Sequence, residues 1–234
     1  MRIRKPLKIE LEYVQRMMAW MLLRDEDAGA LSGLRTLQLG LGAGAITKFC
    51  HAVLRASTTV VEINPKVITA CRHWFHLPAN DDRLQVIEAD AGRFVTQDDQ
   101  VGAWDALCVD LYDHEAASPV LDDEAFYRAC WRVLDDRGVM SVNLFGRDAS
   151  FERSASRIAA AFGADRTAML KPTRDGNTIV LAWKGFDLPA REALAARAET
   201  LQARYELPAR KWVQLLSAFQ PRPAARRASA RSSA

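Results

Sequence analysis

The stretch Leu37-Gln-Leu-Gly40-Leu-Gly42-Ala-Gly44-Ala-Ile constrains this chain more than any other. A short apolar run, the pattern of a buried strand, ends in three glycines at alternate positions. A helical pattern then starts at Ala45. Strand, glycine-rich turn and helix start together form a nucleotide-binding crossover. Glycine lets the backbone turn tightly and approach a ligand closely, because no Cβ stands in the way. The helix start offers unpaired N–H groups to polar ligand atoms.

The rest of the chain repeats the alternation. Strands are expected at 34–39, 58–63, 84–88, 103–109 and 139–144. Helices are expected at 10–23, 45–54, 65–75, 91–97, 122–134 and 151–162, with a turn at Asp135-Asp-Arg-Gly138. Leu11, Val14, Met17, Met18, Met21 and Leu22 share one face of the first helix, the pattern of a core-covering element. Thr167–Leu170 and Asn177–Trp183 flank Arg174-Asp-Gly176 as an antiparallel pair. The expected fold is α/β: a doubly wound, seven-stranded, mostly parallel sheet with a C-terminal antiparallel hairpin. Two extra helices follow, at 189–205 and 209–219. The expected domains are a lead-in and helix at 1–30, a Rossmann-like domain at 31–186, C-terminal helices at 187–220 and a disordered Arg/Ala/Ser tail at 221–234.

Charge excludes some functions. The formal net charge is +3. Residues 221–234 hold Arg222, Arg226, Arg227 and Arg231 and no acid, so +3 less those four leaves −1 for the rest. A near-neutral body argues against nucleic acid as a partner. The four cysteines are not in CxxC spacing, so no zinc site is expected and a reducing cytoplasm is. No signal peptide is visible, and no apolar run is long enough to span a membrane.

In open α/β sheets the ligand lies beyond the carboxyl ends of the strands. Glu62 lies near the end of the second strand, where a carboxylate can accept both hydroxyls of a ribose. Asp90 follows the third strand; it can accept from an adenine amino group or cap the helix at Ala91. The fourth strand ends in Asp110-Leu-Tyr112-Asp113-His114. There Asp110 can position an amine and take its proton, and Asp113 can hold a cationic substrate.

Further strings carry a family likeness: Val61-Glu-Ile-Asn64-Pro-Lys-Val-Ile, Phe75-His-Leu-Pro78, Asp82-Arg-Leu, Glu88-Ala-Asp-Ala, Trp104-Asp-Ala-Leu-Cys-Val-Asp110 and Glu124-Ala-Phe-Tyr-Arg-Ala-Cys. In these the chain resembles the spermidine synthase family, within the class I S-adenosylmethionine-dependent methyltransferase-like fold. The resemblance covers roughly Leu11 to Gly185. It implies that Glu62 binds the ribose and that Asp90 and Ala91 bind the adenine. It implies that the Gly40, Gly42 and Gly44 loop cradles the amino-acid or aminopropyl portion. It implies that Asp110 is the catalytic acid/base, with Asp113 beside it. The co-substrate implied is S-adenosylmethionine or its decarboxylated form, with no metal and with a small-molecule acceptor, an amine such as a polyamine.

The sequence also departs from the family. The loop pattern Gly-Gly-Gly-Asp-Gly-Gly, whose Asp helps bind the amine end of the decarboxylated donor, has Ala43 at that position. An Arg-Glu pair after the loop becomes Lys48-Phe49. A Tyr-His-Glu string, part of the amine pocket, becomes Val14-Gln15-Arg16. A Pro after Asp113 becomes His114, and too few residues precede the first strand for the family's N-terminal β-domain. Aminopropyl transfer is therefore weighed against three alternatives. One is methyl transfer. Another is a non-catalytic nucleoside-binding protein on the same fold. The third is an NAD(P)-dependent oxidoreductase, since Gly40, Gly42 and Ala45 also satisfy the G-x-G-x-x-G/A fingerprint. The C-terminal helices can cover the cleft or form a homodimer contact.

Overall fold

A computed structural model of the chain describes residues 5–24, 30–112, 121, 123–145 and 149–220. One eight-stranded sheet organises it, in the order β3-β2-β1-β4-β5-β7-β6-β8. The strands are β1 (Arg35–Leu39), β2 (Ser57–Glu62), β3 (Leu84–Glu88), β4 (Trp104–Val109), β5 (Leu134–Phe145), β6 (Thr167–Leu170), β7 (Asn177–Trp183) and β8 (Leu216–Ala218). The first five run parallel. β7 pairs antiparallel with β5 and β6, and β8 pairs antiparallel with β6. The order reverses between β1 and β4, and such a switch point opens a crevice at the carboxyl ends of the strands.

The strands are apolar on both faces because helices cover both. On one side Cys108, Ile179, Leu181 and Trp183 pack against the N-terminal segment, α7 (Arg191–Tyr205) and α8 (Ala209–Leu215). On the other, Leu107, Val109, Met140 and Val142 pack against α4 (Ala91–Phe94), α5 (Glu124–Val133) and α6 (Ala149–Phe162). α3 (Pro65–Trp74) starts at Asn64, whose side chain accepts from the N–H of Lys66, with Pro65 at the first helical position.

Four expectations need correction. The sheet has eight strands, not seven. The helix expected over 209–219 stops at Leu215, and Leu216, Ser217 and Ala218 pair with Leu170, Met169 and Ala168 instead. The open edge of β6 satisfies their backbone groups, where a further helical turn would leave that edge bare. The first helix is also shorter than its pattern: α1 is Glu12–Met17, and Met18–Leu23 continues as a 3-10 helix. All six residues of that tighter segment are buried, which the one-faced pattern did not anticipate, while Leu11 is exposed. Finally, the turn expected at 135–138 is an irregularity inside β5. Trp104 pairs with Leu134 but Ala106 with Val139, so the extra residues loop out between them. α2 (Ala45–Lys48) keeps its expected start, then passes into a π-helical segment at Phe49–Leu54. The C-terminal tail lies outside the described residues.

Candidate active site

The glycine bend is built as the sequence suggests. Gly40, Gly42 and Gly44 all have positive φ, at 85°, 53° and 66°, a region that L side chains enter at a penalty. Gly40 also needs the missing Cβ for space: one built there would lie 2.2 Å from the carbonyl oxygen of Asp110. The ends of β1 and β4 therefore touch through backbone, and the N–H of Asp110 donates to Leu39 at 2.9 Å. Buried side chains fix the bend from below. Gln38 Nε2 donates to the Gly40 carbonyl and Thr47 Oγ1 donates to Gln38 Oε1, both at 2.6 Å. The Cys71 thiol donates to the Gly42 carbonyl at 3.0 Å, and Lys48 Nζ donates to the Phe75 carbonyl.

Glu62 stands at the end of β2. Its Oε2 accepts from the N–H of Leu41 and its Oε1 from the N–H of Asn64, each at 2.9 Å. The carboxylate thus ties the glycine bend to the next loop. Two carboxylate oxygens have about four acceptor directions, so room remains for two ribose hydroxyls. Asp90 is exposed, and its Oδ1 accepts from the N–H of Arg93 at 2.8 Å. It therefore caps α4, one of the two roles its position allowed, while Oδ2 stays available. Ala91 is buried in the first turn of α4.

Asp110 is half-buried at the mouth of the switch point, and side chains converge on it. Asn143 Nδ2 on β5 donates to Asp110 Oδ1 at 2.9 Å, and the amide is itself oriented by Asn177 Nδ2 on β7, which donates to Asn143 Oδ1 at 3.1 Å. The Tyr13 hydroxyl, on α1, is also hydrogen-bonded to Asp110. Burial pushes the Asp110 carboxyl above the ordinary carboxylate range, and the bonds from Asn143 and Tyr13 pull it back only in part. Tyr13 is pushed up to about 12, by its own burial first and by Asp110 second, so it remains a donor at neutral pH. Tyr112 donates to the Asn143 carbonyl at 2.8 Å, and burial raises its phenol too. Asp113 and His114 lie outside the described residues.

Tyr13 and Asp110 border one cleft with a cavity of about 60 Å³, lined otherwise by Ile9, Glu10, Leu11 and Val14 of the N-terminal segment, by Gln38, and by Leu41, Gly42, Ala43, Ala45 and Ile46 of the bend. The expected residues Gly40, Gly42, Gly44, Glu62 and Asp110 are thus neighbours, joined by the bend; Asp90 and Ala91 stand at the end of the next strand outward. Five polar residues of this arrangement were not expected: Glu10, Tyr13, Gln38, Asn143 and Asn177. Gln38 and Asn143 did carry a signal, an amide inside an otherwise apolar strand. Of the residues at the expected amine-pocket string, Val14 lines the cleft, but Arg16 is buried elsewhere, bonded to Glu12 at 2.6 Å and to the Lys171 carbonyl. Among the described residues no three His, Cys, Asp or Glu side chains cluster as metal ligands would, and no helix is long and apolar enough to cross a membrane.

The chain has known relatives in sequence and in fold. The chain is 31% identical over 204 residues to the polyamine aminopropyltransferase of Chromobacterium violaceum, covering 86% of this chain and 75% of that protein. Two solved structures share the fold. One is human methyltransferase-like protein 13 in complex with SAH, with a TM-score of 0.70 and 20% identity, covering 94% of this chain and 98% of that one. The other is spermidine synthase from Thermotoga maritima, with a TM-score of 0.63 and 19% identity, covering 83% of this chain and 66% of that one. Residues 42–173 match the spermine/spermidine synthase domain, which takes in the bend from Gly42 on, Glu62, Asp90, Asp110 and Asn143, and the chain belongs to that family.

Proposed function

We propose that this transferase moves an aminopropyl group from decarboxylated S-adenosylmethionine to an amine, with Asp110 as the proton acceptor. The observation that carries this is the convergence on Asp110. A carboxylate raised by burial, held by Asn143 and Tyr13, borders the same cleft as the glycine bend. A base works best when its pKa approaches the working pH, and burial moves Asp110 in that direction.

The residues fit the donor. Gly42 is exposed, and a Cβ there would meet nothing within 4 Å. That is open space for a ligand against the backbone. Glu62 keeps acceptor directions for a ribose, and Asp90 keeps Oδ2 for an amino group. Bound there, the donor supplies a carbon made electrophilic by the adjacent sulfonium. The amine nitrogen forms a bond to that carbon as the carbon–sulfur bond breaks, and the electron pair stays on sulfur as a neutral thioether. Asp110 Oδ takes the proton that the new ammonium sheds. Asn143, locked by Asn177, orients the carboxylate, and Tyr13 stays protonated and supports it. Most of the rate gain in such a displacement comes from holding the reactants in line.

The test is incubation of the protein with S-adenosylmethionine or its decarboxylated form, each with putrescine, followed by mass spectrometry. Release of methylthioadenosine together with an aminopropylated amine is expected with the decarboxylated form. Methylation of the amine, with no methylthioadenosine, would transfer the assignment to a methyltransferase.

A further inference from the structure

The peptide group that joins Gly40 to Leu41 is held from both sides. Its carbonyl accepts from Gln38 Nε2 at 2.6 Å, and its N–H donates to Glu62 Oε2 at 2.9 Å. A peptide unit is a rigid plane, so whatever orients the carbonyl also aims the N–H at Glu62. Behind Gln38 stands Thr47 of α2, whose hydroxyl donates to Gln38 Oε1 at 2.6 Å. Chemistry fixes the direction of each bond. A carbonyl can only accept, so Gln38 must turn its NH₂ toward Gly40 and its oxygen toward Thr47. Hydrogen bonds therefore run unbroken from Thr47, through Gln38 and the Gly40–Leu41 peptide, to the carboxylate of Glu62.

The inner half of this line is sealed. Thr47 is 0% exposed and Gln38 is 3% exposed. A partner lost there leaves a buried polar group without a replacement, and its neighbour is no longer held. Thr47 does not line the cleft, so any influence it has on a ligand must pass through Gln38. At Glu62 the line surfaces: that side chain is half-buried, and its Oε1 is tied down by the N–H of Asn64.

We infer that Thr47 and Gln38 are positioning residues for the nucleoside: they lock the Gly40–Leu41 peptide and so hold the Glu62 carboxylate where it accepts the ribose hydroxyls. This rests on the reading of Glu62 as the ribose acceptor and adds the residues that set its aim.

The test is isothermal titration of the full chain with methylthioadenosine and with the same nucleoside lacking both ribose hydroxyls. The ratio of the two affinities reads the grip of Glu62. In the wild type the hydroxylated ligand should bind about tenfold or more tighter, as hydrogen bonds to a charged group allow. Thr47→Val keeps the shape but removes the hydroxyl, and Gln38→Met keeps the length but removes the amide. Each should weaken methylthioadenosine about three- to tenfold, the value of one hydrogen bond, and leave the dideoxy ligand within about twofold. Thr47→Ser should restore the wild-type ratio. An undiminished ratio in either Thr47→Val or Gln38→Met overturns the inference. So does an equal loss for both ligands, which would mean looser packing rather than a misaimed carboxylate. A wild type that holds the two ligands equally fails before any variant is made; that result overturns the ribose role of Glu62, and the inference with it.

Discussion

Replacing Gly40 by alanine should damage the site and the fold together, by amounts the geometry sets. The new Cβ would sit 2.2 Å from the carbonyl oxygen of Asp110, where ordinary contact begins at 3.4 Å, so one of the two bends must yield by 1.2 Å. Neither moves freely. Gly40 donates to Val61 at 2.9 Å, and Asp110 donates to Leu39 at 2.9 Å. A shift of that size at a reacting group lowers turnover by about a hundredfold. For stability, a side chain at positive φ costs about 1–2 kcal/mol and overpacking about 1–3 kcal/mol more. Gly42→Ala separates these contributions. Its φ is 53° and its Cβ would meet nothing within 4 Å, so only the backbone penalty applies, a Tm loss of about 2–4 °C per kcal/mol in a chain of this size. The assays are thermal unfolding of both variants and methylthioadenosine release by Gly40→Ala. If Gly40→Ala melts no lower than Gly42→Ala, or keeps its turnover within tenfold of wild type, the close approach of β1 to Asp110 is refuted.

Further outcomes follow from the hydrogen bonds. Asp110→Asn should cut kcat by about 10²–10⁴-fold while the Tm at pH 7 holds or rises. Burial raises the folded carboxyl, so the folded state binds that proton more readily than the unfolded chain. Stability then falls as pH climbs from the ordinary carboxylate range through the raised value, and the amide removes this loss. In the wild type the acid limb of the kcat/KM profile should lie above the ordinary carboxylate range, because Asp110 must be ionised to act. Asn177→Ala should release the Asn143 amide and lower kcat about three- to tenfold, the value of one hydrogen bond, with KM for the donor unchanged. Glu62→Gln should weaken methylthioadenosine binding in a titration, because its amide NH₂ can accept neither from Leu41 N–H nor from a ribose.

The bend, the strand–helix alternation and the acid ending β4 were legible because each is written in a few adjacent residues: glycines that only a tight turn explains, β-branched runs, and a polar group where an apolar run stops. What was not legible depends on distant chain meeting distant chain. Tyr13 sits in a pattern that reads as core cover, and nothing local says that α1 lies over the switch point. Glu10 looked like the first residue of a helix; the helix starts later, and this leaves Glu10 in the cleft wall. Glu62 was read for a ribose alone, since its bonds to Leu41 and Asn64 exist only once the bend has folded. Asn143 and Gln38 fall between these cases. An amide in an apolar strand announces that it has a partner, but not which one. Leu216-Ser-Ala continues a helical pattern, and only the bare edge of β6 turns it into a strand.

That last strand has a consequence for handling the protein. Three residues near the end of the described chain sheathe the rim of the sheet, and they belong to a segment whose anchors, Trp212 and Val213, are buried. A chain cut before Leu216 would keep every group around Asp110 yet present a row of unpaired amides and carbonyls along β6. Such a chain invites a second copy to zip onto it, so its first symptom should be self-association rather than lost chemistry.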